Sequence, residues 1–74
     1  MKQTFIAIIK NRAGREITFE RFSCKRAETV RTNMMQLFKS DLYRACTRGA
    51  ETVEIYRTPD GYSREEKPVF TMNI

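Results

Sequence analysis

The spacing of apolar residues changes twice along this chain, from a period of two to the helical period near residue 25 and back to two near residue 52, and this dictates an α+β order of strand, strand, helix, strand, strand. Residues 4–10 are rich in β-branched and aromatic side chains, with apolar groups at both parities, as expected of a strand covered on both sides. Asn11-Arg12-Ala13-Gly14 follows, a turn signal in which Asn starts the turn and Gly supplies a positive φ. Residues 16–22 then alternate, which predicts Ile17 and Phe19 inward and Glu16, Thr18 and Glu20 outward. Phe22 falls out of step with them, so a bulge near Arg21 or a strand end is expected there. Ser23 is the expected start of the helix.

Between residues 25 and 48 Ala27, Val30, Met34, Leu37, Phe38, Leu42 and Ala45 recur at spacings of three, four and seven, which predicts one long amphipathic helix. Thr47-Arg48-Gly49 carries a helix-ending pattern. Residues 52–57 alternate again and predict a third strand with Val53 and Ile55 on one face. Thr58-Pro59-Asp60-Gly61 is a turn signal, and residues 69–74 predict a fourth strand. A tight hairpin at residues 59–61 would pair residues 62–67 with the third strand, whereas a longer loop through Pro68 would pair residues 69–74 with it. The expected architecture is a ββαββ antiparallel sheet of two hairpins with the long helix packed on one face. The expected core is Ile6, Ile8, Phe19, Val30, Met34, Phe38, Val53 and Ile55.

Seventy-four residues suffice for one domain, residues 1–74, whose thin core leans on a few large side chains or on a partner. Five Phe and three Tyr in a chain that is 41% hydrophobic are too many for a disordered tail. Two cysteines, Cys24 and Cys46, are fewer than a small secreted domain uses, so two small, buried or half-buried thiols in a reducing cytoplasm are expected. The apolar run at residues 5–9 is too short for a signal peptide core or a membrane span.

The sequence holds no histidine, which removes the commonest general acid-base group and the commonest metal ligand. Cys24 and Cys46 fit neither a zinc spacing nor a Cys-x-x-Cys redox motif. Gly14, Gly49 and Gly61 are isolated, so no Gly-rich phosphate loop is present. Glu65 and Glu66 sit between Arg64 and Lys67, in the pattern of a solvated loop. No catalytic, cofactor or metal residue is therefore expected, and the chain is expected not to be an enzyme.

Fourteen basic residues, nine of them Arg, stand against nine acidic ones, for a net charge of +5. Such a balance favours an anionic partner, because Arg forks match phosphate and carboxylate. On the helix Arg31 and Asp41 interrupt the apolar stripe, while Tyr43 is expected to point away from it beside Arg44 and near Lys39. A Tyr among basic side chains is the composition of an interface anchor, so Arg31, Lys39, Tyr43 and Arg44 are candidate partner-binding residues. Tyr56, Arg57 and Tyr62 form a second candidate, a small stacking patch on the last hairpin of the kind that RNA-binding sheets use, although the Gly-Phe-x-Phe core of those sheets is missing.

The opening strand at residues 2–10, the Asn-x-x-Gly turn, the Ala27-Glu28 pair at the helix start and the terminal hairpin together resemble small accessory proteins of phages and other mobile elements. Some of these inhibit bacterial defence systems, anti-CRISPR proteins among them, by binding an effector complex without catalysis. The resemblance implies a host protein or nucleoprotein complex as partner, the host cytoplasm as location and a monomer or homodimer as the acting form, and it assigns no residue. A small basic nucleic-acid-binding domain is the alternative expectation.

Overall fold

A computed structural model describes residues 3–60 and 63–74, and gives four strands and two helices in the order β1 (Gln3–Asn11), β2 (Glu16–Cys24), α1 (Ala27–Leu37), α2 (Asp41–Cys46), β3 (Ala50–Arg57) and β4 (Phe70–Asn73). The strands form one antiparallel sheet in the order β2-β1-β3-β4. The Asn11 turn forms as its residues dictate: the Asn11 side chain accepts from the backbone N–H of Ala13 and of Arg15 at 3.0 Å each, and Gly14 takes φ +81°. At the other hairpin the longer loop is the one realised, with Val53 opposite Met72 and Ile55 opposite Phe70.

The α+β class and the four-stranded antiparallel sheet agree with the expectation, but the single long helix does not form. The helical pattern breaks at residues 38–40, where Ser40 takes an extended backbone and its hydroxyl accepts from the N–H of Tyr43 at 3.4 Å. Ser followed by Asp is a start signal in its own right, since Ser caps the orphan donors and Asp41 meets the positive end of the helix dipole. Here that local signal overrides the continuing apolar spacing. As a result Leu42, expected in the stripe, is 75% exposed. The start of α1 also departs from expectation, for β2 runs on through Ser23 to Cys24 and Arg26 stands at the N-cap without a side-chain hydrogen bond.

The main core lies between the sheet and the helices: Phe5, Ala7 and Ile9 of β1, Val53 and Ile55 of β3, and Met72 of β4 pack with Val30 and Met34 of α1. Each α1 residue named is fully buried. Phe38 joins at the edge, half-buried. Two expectations fail in parity. Ile6 and Ile8 are buried, but on the opposite face of the sheet, with Tyr56. Phe19, expected inside, is paired with Ile8 on that outer face and is 46% exposed, whereas Phe22 pairs with Phe5 and faces the helices. The cause is the position of the irregularity: the register of β1 and β2 shifts beside Ile17, between the pairs Ile9–Thr18 and Lys10–Glu16, rather than near Arg21. One extra residue there turns Ile17 toward the helices and sets the parity of every later residue in β2.

Candidate binding surfaces

Two surfaces gather chemically capable side chains, and they lie on opposite sides of the sheet. The first is the helical layer. Residues 25–48 carry six basic residues, Lys25, Arg26, Arg31, Lys39, Arg44 and Arg48, against Glu28 and Asp41, and all eight are exposed. This segment therefore holds a net +4 of the +5 carried by the chain. Among the described residues, Arg44 is the one of these six cations held in an ion pair, its Nη2 lying 2.6 Å from Asp41 Oδ1 one helical turn away. Met35, 51% exposed, and Leu42 add apolar area to the same layer.

Three of the four helix residues singled out from the sequence, Arg31, Lys39 and Arg44, are at the surface, but Tyr43 is not an outward anchor. The break at Ser40 reorients α2 relative to the uninterrupted wheel, and Tyr43 turns inward. Its ring meets Phe38 edge-on at a centroid distance of 5.1 Å and 76°, and its hydroxyl donates to Glu20 Oε1 at 3.3 Å. Burial, then the negative charge of Glu20 and the hydrogen bond to it, push the Tyr43 phenol up to about 12. A phenol so placed has a structural task.

The second surface is the outer face of the sheet. Tyr56 donates to Glu54 Oε1 at 2.7 Å, and Lys10 Nζ lies 2.9 Å from the same oxygen. Arg64, from the loop between β3 and β4, sits over the Tyr56 ring at 5.3 Å and reaches Glu16 Oε1 on β2 at 2.8 Å, so one side chain ties that loop across three strands. Beside it opens a groove of about 360 Å³ with Ile6, Ile8 and Phe19 as its apolar lining and Glu16, Arg21 and Arg64 as its charged lining. The Arg21 guanidinium lies over the Phe19 ring at 5.7 Å. The stacking patch expected on the last hairpin is not assembled: Tyr56 is buried beneath Arg64, and Arg57 pairs with Phe5 on the opposite face. Tyr62 lies outside the described residues.

No family model, curated protein or solved structure matches the chain. What the surfaces can do must be read from their own chemistry. Among the described residues no three His, Cys, Asp or Glu side chains are placed to hold a metal ion. No helix among them is long and apolar enough to cross a membrane. On the outer face the carboxylates of Glu16 and Glu54 are each bound by a cation, and the Tyr56–Glu54 and Lys10–Glu54 bonds hold the Glu54 carboxyl below its usual range. These groups are arranged as a strap on the sheet. The helical layer, by contrast, leaves cations facing solvent. The sequence does not reveal the groove, with Phe19 and Arg21, because unbroken alternation through residues 16–20 places Phe19 in the core. Its signal was the aromatic-basic alternation of Phe19 and Arg21, legible only once the bulge at Ile17 is placed.

Proposed function

We propose that this protein is a non-enzymatic binding module that lays its basic helical layer on the anionic surface of a host nucleoprotein and blocks that surface sterically, in the manner of phage-encoded inhibitors of defence complexes. The observation that carries this reading is the segregation of charge, with +4 of the net +5 on exposed side chains of residues 25–48. A one-signed surface attracts its opposite over distance and raises the rate of encounter. Arg31, Lys39 and Arg44 supply the charge, and Met35 and Leu42 supply apolar contact area between them. The molecule also exposes 5383 Å², more than the about 4,700 Å² usual for a folded monomer of 8.7 kDa, which favours a protein that completes itself against a partner.

Affinity capture from bacterial lysate, with wild type beside an R31E/K39E/R44E triple variant, tests the reading. Wild type is expected to retain a nucleoprotein complex that the variant loses, while the circular dichroism of the two stays the same. Equal capture by both would place the interface elsewhere. Nuclease treatment of the lysate separates the alternative, a small nucleic-acid-binding domain, whose retained material would vanish with the nucleic acid.

A further inference from the structure

We infer that the cleft between the end of β3 and the start of α1 holds a phosphodiester group of the partner's nucleic acid, gripped by Lys25, Arg26 and Arg57. This rests on the proposed nucleoprotein reading and specifies which component the protein touches.

The sheet topology builds the cleft. Gln3 pairs with Cys24 at the end of β2, and Phe5 pairs with Arg57 at the end of β3, so the two strands that flank β1 finish at the same end of the sheet. The residues that follow β2, Lys25 and Arg26, and the last residue of β3, Arg57, then stand on either side of β1. Two strand spacings separate those flanks by about 10 Å. Arg and Lys side chains closing from both sides of such a gap can meet on one tetrahedral anion. The cleft itself measures about 500 Å³, and Gln3 and Glu28 also line it.

The charge is unspent. Lys10, Arg44 and Arg64 each lie within 3 Å of a carboxylate oxygen, but Lys25, Arg26 and Arg57 are in no ion pair among the described residues, even with Glu28 on the same cleft. Three cations around a single cleft repel one another, with Glu28 offsetting only part of their charge, until an anion enters. Two of the three are Arg, whose planar fork matches phosphate oxygens bidentately. The favoured anion is a nucleic-acid backbone because two of the three cations, Lys25 and Arg26, belong to the segment 25–48 whose exposed side chains carry a net +4, and a continuous run of phosphates matches that charge. A nucleic-acid strand carries one phosphate per nucleotide in a regular run. An acidic protein surface has no such repeat.

The test uses the intact protein, a fluorescently labelled 12-nucleotide oligouridine and a 12-residue polyglutamate peptide. Wild type is expected to bind the oligouridine, and R26A/R57A to bind it at least tenfold more weakly at low salt. The slope of log affinity against log salt should become shallower by about 1.4, since each lost phosphate contact on a single strand removes about 0.7. An R12A/R15A control, at the turn on the far end of the sheet, should stay within twofold of wild type. The inference is overturned if R26A/R57A binds as wild type does, if wild type shows no binding at about 100 µM protein, the weak limit of non-specific association, or if polyglutamate binds as tightly and responds equally to the substitutions. Capture of the nucleoprotein from lysate is read separately: failure of wild type to capture a complex removes the proposed function, while the oligouridine result still decides the cleft.

Discussion

The Tyr43 hydroxyl donates to Glu20 Oε1 across 3.3 Å and so joins the second helix to the edge strand of the sheet. Glu20 pairs with Ala7, a member of the main core, and therefore points toward the helices from the middle of β2. A charge turned inward on an edge strand discourages pairing with another chain, and it needs a partner to be tolerated there. Tyr43 supplies that partner, and its ring covers Phe38 at the same time.

This arrangement makes stability sensitive to alkali. The Tyr43 phenol is raised from 10.0 to about 12 in the fold, so the folded state holds its proton more tightly than the unfolded chain. A group raised in this way contributes stability that is fully present below pH 10 and is lost as pH rises through about 12. Melting temperatures measured from pH 8 to 12 should fall at the alkaline end for wild type and fall less for Tyr43→Phe. Tyr56 is raised as well, chiefly by its bond to Glu54, so the difference between the two proteins is the quantity to read. Parallel curves for wild type and Y43F would remove the Tyr43–Glu20 contact from the account.

At the acid end the sensitive group is Glu54. Its carboxyl is held below the ordinary 4.5, first by the Tyr56 hydroxyl and then by Lys10. A depressed carboxylate contributes stability that is present above pH 4.5 and is lost as pH falls through its folded value. Titration of the Glu54 side chain followed by NMR should give a midpoint below 4.5 in wild type, moving upward in Tyr56→Phe. An unmoved midpoint would show that the hydroxyl does not act on Glu54.

The break between the helices separates two substitutions that an unbroken helix would make alike. Met34 is fully buried, and Met34→Ala should cost about 2–5 kcal/mol. Leu42 is largely exposed, and Leu42→Ala should stay within about 0.5 kcal/mol of wild type. Ser40→Ala removes the cap of α2 and should cost roughly 0.5–2 kcal/mol. Denaturant unfolding of the three variants decides the matter, and a large loss for Leu42→Ala would restore the single-helix packing.

These contrasts also mark what the sequence makes legible. The change of period, the Asn11 turn and the core positions Val30, Met34, Val53 and Ile55 can be read directly, because each depends on residues close together along the chain. Placement of Phe19, Ile6 and Ile8 cannot, for β1 is apolar at both parities and offers no preferred face, and a single added residue beside Ile17 reverses the facing of β2. The same limit governs the surfaces. Arg31, Lys39 and Arg44 are exposed as the helical wheel requires, but Tyr43 turns inward because Ser40 starts a new helix. Lys25, Arg26 and Arg57 meet only through strand order, which local spacing does not encode.

The two thiols differ in a way that reactivity can resolve. Both are free, as expected, but only one of them fits the expectation of a sheltered group. Cys24 closes β2 beneath the helices, and its Sγ donates to the Arg26 carbonyl at 3.2 Å. Cys46, at the end of α2, is exposed. A disulfide reagent reaches a thiol only when the sulfur is accessible, so modification tracks local opening for a buried one. Treatment of native protein with such a reagent should therefore release one equivalent rapidly and the second only at the rate at which the strand end or the whole fold opens. Cys46→Ser should abolish the rapid phase and leave the slow one. Adding denaturant should merge the two phases in wild type, since unfolding exposes Cys24 as fully as Cys46. Two rapid equivalents in native protein would mean that the junction of β2 with α1, which also carries Lys25 and Arg26, is not held closed by the packing described.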